Sequence, residues 1–98
     1  MNYTIEKLTT LIGARRYGDS DASIGFILTD SRSLCFPEET LFFALKSDRN
    51  DGHNYISELY RRGVRNFVVS EVPMGWASDY PEANFLKVVN TLEALQRL

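Results

Sequence analysis

Short apolar runs alternate along the chain with polar segments, and four of these runs have the length and composition of β-strands. The runs are Ile24–Leu28, Leu41–Leu45, Asn66–Ser70 and Asn84–Val89. Their β-branched and aromatic residues favour the pleated backbone of a strand. The second run is apolar at every position, which is typical of a strand buried on both faces of a sheet. Gly25, inside the first run, indicates a bulge or a close approach by another part of the chain.

Three further segments show the spacing of amphipathic helices. They run from Thr4 to Ile12, from about Asn54 to Arg62, and from Asn90 to the end of the sequence. Gly13 and Gly63 follow the first two segments, where a left-handed residue commonly ends a helix. In the third, Asn90 with Glu93 three positions later is close to a capping box. The stretch 71–83 contains two prolines and no clean period, so we expect a loop with room for one helical turn.

This order of elements predicts an α/β fold. Specifically, we expect a small layered domain with a mostly parallel or mixed sheet of about four to five strands flanked by helices, containing a βαβ unit (41–70). The two strands of that unit should be parallel, with a right-handed crossover. Ninety-eight residues suit a single domain, residues 1–98. Because the sequence ends inside its last predicted helix without a stop signal, we expect it to be part of a longer chain.

Composition and charge exclude several functional classes. The chain is 44% hydrophobic and 24% charged, with a net charge of −2, and so lacks the basic excess of a general nucleic-acid-binding protein. No apolar run approaches the roughly 20 residues that cross a bilayer, and the first residues lack the layout of a secretory signal. The single cysteine, Cys35, excludes an internal disulfide. We therefore expect a cytoplasmic protein with neither a nucleic-acid nor a membrane partner.

The first candidate loop, Thr29-Asp30-Ser31-Arg32, follows a predicted strand. Its hydroxyl groups can both donate and accept, which suits a uracil ring edge or a sugar hydroxyl, and the planar fork of Arg32 matches phosphate oxygens. The alternative is that Asp30 and Ser31 simply close a turn and Arg32 is solvated.

The second candidate loop runs from Lys46 to His53, after the next predicted strand. Loops at the carboxyl ends of strands in an open α/β sheet commonly bind ligands, so the two loops together predict one polar cleft. The helix that follows has N–H groups and a dipole that favour an anion. The alternative is a hydrophilic loop in which Asp51 or Asn54 caps the helix. His53 has no second His or Cys for zinc and no candidate nucleophile beside it, so we favour a role at the helix start or in packing.

The remaining candidate residues are better explained by structural roles than by ligand binding or catalysis. Arg15 and Arg16 suit either a phosphate or a solvated loop, and we favour the loop. Cys35 has no basic neighbour to form a thiolate, so we expect a small apolar filler. Trp76 could stack on a base or contact another domain, but it suits covering the core better. Neither a GxxxxGK[ST] phosphate loop nor a GxGxxG dinucleotide loop occurs in the sequence, so ATP cannot be held here in the usual manner.

The order of these motifs resembles the N-terminal domain of Mur ligases. The matching features are the first loop after its strand, Leu41–Leu45, the motif Asp51-Gly-His-Asn-Tyr-Ile56, the helix ending at Gly63, and the strand Phe67–Glu71. The resemblance covers about residues 24–98. It is to the MurE/MurF type, and most of all to MurF-type ligases, which add D-alanyl-D-alanine to UDP-N-acetylmuramoyl-tripeptide. The segment from Thr91 is similar to the one that leads those enzymes into their central ATPase domain.

The resemblance implies that this domain binds the UDP end of UDP-MurNAc-peptide in peptidoglycan precursor synthesis. Thr29 and Ser31 match positions that contact the nucleotide, and Asp48, Arg49 and Asn50 match the second-loop segment that closes over it. We add Arg32 and Lys46 on the basis of charge. The family often has Gly where Ser47 stands, so at this position the loop departs from the family pattern and the resemblance does not define its backbone path.

The resemblance also implies that ATP and Mg²⁺ are cofactors of the parent ligase and are bound outside these residues, so that this domain has no cofactor, metal ligand or catalytic residue of its own. Two alternatives stay open. One is a non-enzymatic nucleotide-sugar-binding or regulatory module on the same fold. The other is the ligase part of a fusion with a second enzyme such as alanine racemase.

Overall fold

A computed structural model describes residues 2–98 and shows an α/β fold built on a five-stranded mixed sheet. Its strands are β1 (Tyr3–Thr4), β2 (Arg15–Tyr17), β3 (Ser23–Ile24), β4 (Phe26–Leu28), β5 (Thr40–Phe43), β6 (Asn66–Val69) and β7 (Asn84–Lys87). Its α-helices are α1 (Ile5–Leu11), α2 (Ile56–Arg61), α3 (Trp76–Asp79) and α4 (Thr91–Gln96). The predicted fold class is confirmed.

The large sheet has the strand order β2-β7-β6-β5-β4, and its last four strands in that order are parallel. β2 is antiparallel to β7, which makes the sheet mixed. β1 and β3 form a separate two-stranded antiparallel sheet. The predicted βαβ unit is present, because β5 and β6 pair in parallel and α2 lies between them in sequence.

Alternate residues of the central strands are buried in two cores on opposite faces of the sheet. Leu41 and Phe43 belong to the core that includes residues of α1 and α4. Phe42 and Ala44 belong to the other core, which includes residues of α2 and contacts α3. Both faces are therefore covered, which explains why the run Leu41–Leu45 is apolar at every position.

The first predicted strand, Ile24–Leu28, is divided at Gly25. Residues before the glycine pair with β1, and residues after it pair with β5. The Gly25 N–H donates to the carbonyl oxygen of Glu39 at 2.9 Å, and a Cβ at position 25 would lie 2.7 Å from Asn2 Oδ1. The close approach expected from this glycine is confirmed, whereas the single continuous strand is wrong.

Two other predictions need correction. Arg15–Tyr17 is an edge strand rather than a loop, because Arg15, Arg16 and Tyr17 pair with Lys87, Leu86 and Phe85. The second helix begins with a 3₁₀ turn, Gly52–Tyr55, and is α-helical only over Ile56–Arg61. The helical turn allowed for in the stretch 71–83 is α3.

Across residues 2–98, every helix is too short or too polar to span a membrane.

Candidate functional site: a cleft between two strand-end loops

The loops that follow β4 and β5 form the two walls of one cleft. β4 and β5 are parallel neighbours, so both loops leave the sheet at the same carboxyl-terminal edge. We call Thr29–Arg32 the first wall and Leu45–Gly52 the second wall. The cleft has a volume of about 680 Å³. It is lined by Thr29, Asp30, Ser31, Arg32, Leu45, Lys46, Ser47, Asn50, Gly52, Tyr55 and Leu92.

The structure brings most of the predicted site residues together. Those that line the cleft are Thr29, Ser31, Arg32, Lys46 and Asn50. Asp48 and Arg49 do not line it; they lie exposed at the tip of the second wall. The two loops therefore face one cleft, as expected from their positions after neighbouring strands. That these seven residues bind a ligand stays a prediction.

An ion pair within the first wall fixes its shape. Asp30 accepts a hydrogen bond from the Arg32 backbone N–H at 2.9 Å and so caps the 3₁₀ turn Ser31–Ser33. The Arg32 guanidinium also donates to Asp30, from Nε to Oδ1 at 3.0 Å and from Nη2 to Oδ2 at 2.7 Å. The Arg32 side-chain hydrogen bond is the main reason that the pKa of Asp30 falls to about 2. The turn expected from the alternative interpretation of this loop is thus present, and Arg32 is largely exposed.

Hydrogen-bonding groups of the first wall stay open toward the cleft. Within residues 2–98, the side-chain hydroxyls of Thr29 and Ser31 have no hydrogen-bond partner, and neither does the Nη1 group of Arg32. The carbonyl oxygen of Ser31, in contrast, accepts from Arg62 Nη1 at 3.1 Å. The backbone of the wall is therefore tied to α2, while its hydroxyls can serve a ligand.

The second wall is a tight turn closed by backbone hydrogen bonds. The Ser47 N–H donates to the carbonyl oxygen of Asn50 and the Gly52 N–H donates to that of Leu45, both at 2.7 Å. Lys46 and Asp51 form an isolated antiparallel bridge at its base. Tyr55 Oη donates to Asn50 Oδ1 at 3.1 Å, which leaves the Asn50 amide N–H groups for other partners.

Asp51 caps the helix that follows the second wall. Its Oδ1 accepts from the His53 backbone N–H at 3.0 Å and lies 2.6 Å from His53 Nδ1. The pKa of Asp51 is lowered, chiefly by the hydrogen bond from that backbone N–H. The capping alternative is confirmed for Asp51, and so is the position of His53 at the helix start. Because a carboxylate already occupies this helix end, it is not an open anion site.

Sequence reasoning missed two residues that line the cleft from helices, Tyr55 and Leu92. Leu92 reaches the cleft because Thr91 Oγ1 donates to the carbonyl oxygen of Ala44 at 3.0 Å and so joins α4 to the end of β5. A usable signal was the helix cap at Asn90, shortly after the end of β7; the Asn90 side chain accepts from the Glu93 N–H at 3.0 Å. A helix that begins there has its first turn at the same sheet edge as the two walls.

Charge and chemistry identify the cleft as suited to binding. Among its lining residues, Arg32 and Lys46 are cationic and Asp30 is anionic, which leaves a net charge of +1 in a chain with a net charge of −2. Hydroxyl and amide groups supply donors and acceptors, and Leu45, Tyr55 and Leu92 supply apolar contact. The lining residues contain no pairing of a nucleophile with a base. This arrangement can hold a small polar anion with a flat or apolar portion.

The remaining candidates have structural roles. Arg16 donates to the carbonyl oxygen of Ser20 at 2.7 Å and to Asn84 Oδ1 at 3.1 Å, so it joins chain segments. Trp76 packs edge-on against Tyr17 and Phe85, and its predicted core-covering role is confirmed. Cys35 is exposed, so its predicted role as an apolar filler is wrong. In the described part of the chain, no cluster of His, Cys, Asp and Glu could hold a metal ion.

Comparison with known proteins gives structural matches only. No protein-family model and no curated protein sequence matches the chain. The UDP-N-acetylmuramoylalanyl-D-glutamyl-2,6-diaminopimelate–D-alanyl-D-alanyl ligase of Acinetobacter baumannii is similar at TM-score 0.82 and 27% identity, over 100% of this chain and 21% of that chain. Two crystal structures of MurF from the same organism match at TM-score 0.82, one at 27% identity over 100% of this chain and the other at 25% over 99%, each over 20% of the MurF chain.

The chain thus spans about a fifth of the length of the ligases that it matches. The likeness extends over the whole sheet and its helices, not over one motif. The chain fits a domain of a Mur ligase.

Proposed function

We propose that this chain is the substrate-holding domain of a MurF-type ligase and binds the UDP end of UDP-N-acetylmuramoyl-peptide in the cleft between its two walls. The observation that carries the proposal is the convergence of Thr29–Arg32 with Lys46 and Asn50 on one cleft, in a chain whose fold fits a Mur ligase domain. The volume of the cleft, about 680 Å³, lies within the range of small-molecule sites.

The chemistry of the walls supports a uridine diphosphate. The hydroxyls of Thr29 and Ser31 can each donate to and accept from the polar edge of uracil or ribose. Lys46 and the open Nη1 group of Arg32 can neutralise diphosphate charge. Tyr55 and Leu92 provide flat and apolar surface for the base or sugar. Asn50 contributes amide donors, while Asp48 and Arg49, at the tip of the second wall, can reach a ligand only if that wall closes.

The ligation reaction would belong to the parent protein. Adding D-alanyl-D-alanine to a peptide carboxylate needs phosphoryl transfer, for which ATP and Mg²⁺ are the expected cofactors. The sequence has no phosphate loop, so these cofactors would be bound by a central ATPase domain of the same chain. This domain alone would bind substrate in the cytoplasm without catalysing ligation.

The proposal is tested by titrating UDP and UDP-MurNAc-tripeptide into the intact protein by isothermal calorimetry. Ser31→Ala removes one hydroxyl contact, and we expect the dissociation constants of both ligands to rise about five- to ten-fold. Ser33→Ala is the matched control, because Ser33 belongs to the same 3₁₀ turn but does not line the cleft. Failure of the wild-type protein to bind UDP, or equal affinities for wild type and Ser31→Ala, would refute the proposal.

A further inference from the structure

His53 joins the second wall to the neighbouring strand through two hydrogen bonds at opposite ends of its ring. Nδ1 lies 2.6 Å from Asp51 Oδ1, and Nε2 lies 3.1 Å from the backbone nitrogen of Ser70, the residue after β6. The ring itself does not line the cleft. Any effect of His53 on the cleft is therefore exerted through the residues that it connects.

The direction of these bonds fixes the state of the ring. The Ser70 backbone N–H can only donate, so Nε2 must accept and cannot carry a proton. The Asp51 carboxylate accepts from the His53 backbone N–H at 3.0 Å, and its Oδ1 lies 2.6 Å from Nδ1, where it can accept a second hydrogen bond. The tautomer that satisfies both bonds carries its proton on Nδ1 and leaves the lone pair of Nε2 free to accept.

The same geometry argues against a hydrolytic triad. Along the chain, Asp51, His53 and Ser70 follow the order Asp, His, Ser that some hydrolytic triads have. Ser70 Oγ lies 3.4 Å from His53 Nε2. The lone pair of Nε2 is, however, directed to the shorter bond from the Ser70 N–H. The prediction that no candidate nucleophile lies beside His53 is wrong, because the Ser70 hydroxyl lies 3.4 Å from the ring. Since Nε2 already accepts from the Ser70 backbone N–H, the ring does not activate this hydroxyl.

We propose that His53 is a positioning residue for the cleft: it fastens the turn Lys46–Asp51 to the end of β6 and so holds Lys46 and Asn50 in place for the ligand. Asp51 is the bridge partner of Lys46, and the Gly52 N–H bonds to Leu45. A tether on Asp51 thus restrains both ends of the turn. This inference rests on the proposed function, since the ligand is the nucleoside diphosphate proposed above.

The first measurement needs no variant. The ¹⁵N chemical shifts of the His53 ring in the intact protein should show a protonated Nδ1 and an unprotonated Nε2 at neutral pH. A proton on Nε2 would overturn the inference, because Ser70 would then have no acceptor.

The second measurement separates the two contacts of the ring. His53→Asn keeps a short donor toward Asp51 but cannot reach Ser70, whereas His53→Gln can reach Ser70 with its amide oxygen. For His53→Asn we expect faster hydrogen exchange at the amides of Ser47, Gly52 and Ser70, unchanged protection in β5, and an approximately five-fold higher dissociation constant for UDP. His53→Gln should recover part of both effects.

Two further variants complete the test. Asn54→Ala, an exposed neighbour on the same turn, should leave exchange and UDP binding unchanged. Ser70→Ala retains the backbone N–H and should keep the turn protected; loss equal to that of His53→Asn would assign the role to the hydroxyl and overturn the inference. Unchanged exchange in both His53 variants, or loss of protection throughout the domain, would also overturn it. If wild type does not bind UDP, the proposed function fails, while the exchange data still decide whether His53 orders the turn.

Discussion

Arg62 Nη1 donates a hydrogen bond to the carbonyl oxygen of Ser31 at 3.1 Å, so the C-terminal end of α2 contacts the first wall of the cleft. The residues are 31 positions apart in sequence. Together with the tether from His53 to Ser70, this contact means that each wall is held by a side chain outside the cleft. The shape of the cleft therefore depends on residues that lie outside it.

Replacing Arg62 with glutamine should weaken UDP binding without unfolding the domain. The lost hydrogen bond is exposed and contributes about 0.5–1 kcal/mol, so we expect the UDP dissociation constant to rise about two- to five-fold, measured by calorimetry. Arg61→Gln is the matched control, because it removes the same charge from the same helix end. Equal effects of the two substitutions would mean that net charge, and not the contact with Ser31, controls affinity.

The pair formed by Asp30 and Arg32 should make the first wall resistant to acid. The pKa of Asp30 is lowered from 3.8 to about 2, so the ionised form favours the folded turn. This contribution is fully present above about pH 4 and is lost as the pH falls through about 2. A carboxyl ¹³C NMR titration should place the Asp30 midpoint near 2.

The same titration can assign the cause of the shift. Arg32→Gln should return the Asp30 pKa toward 3.8, because the side-chain hydrogen bond from Arg32 is its largest cause. Arg49→Gln removes a cation from the tip of the other wall and should leave the midpoint near 2. A wild-type midpoint near 3.8 would show that the ion pair does not form in solution.

The buried strands were predictable because a strand covered on both faces needs a continuous apolar sequence. β5, β6 and β7 lie at the centre of the sheet, and their apolar runs reflect burial on both faces. β2 is an edge strand that contains Arg15 and Arg16, so it lacks that pattern. The break at Gly25 involves contacts with Asn2 and Glu39. Both residues are distant from Gly25 in sequence, so the residues around the glycine do not predict these contacts.

The residues of the candidate site also fall into those that the sequence predicts and those that it does not. Its two walls were predictable because they directly follow apolar strands whose carboxyl ends share one edge of the sheet. Tyr55 and Leu92 were missed because their positions depend on how α2 and α4 pack, and for Leu92 the cap at Asn90 was the one signal of that position. Asp48 and Arg49 are adjacent in sequence to lining residues, but the tight turn from Ser47 to Asn50 carries them past the cleft.

The close packing of Gly52 against β5 gives a prediction that links stability to the site. A Cβ at position 52 would lie 2.8 Å from both Ala44 Cα and Leu45 N, which are backbone atoms that cannot rotate away. We therefore expect Gly52→Ala to displace the second wall and to lower the free energy of unfolding by about 1–3 kcal/mol in urea denaturation. UDP affinity should fall as well, because Gly52 lines the cleft.

Gly13→Ala separates loss of stability from loss of the site. Gly13 has φ +66°, and its nearest neighbour is the flexible Arg97 side chain, whose Nη1 would be 3.3 Å from a Cβ. The left-handed backbone should cost about 1 kcal/mol with alanine, whereas UDP affinity should stay at the wild-type value because Gly13 does not line the cleft. If Gly52→Ala also bound UDP with wild-type affinity, the second wall would not need its observed backbone path for binding, and the cleft would be the wrong place for the nucleotide.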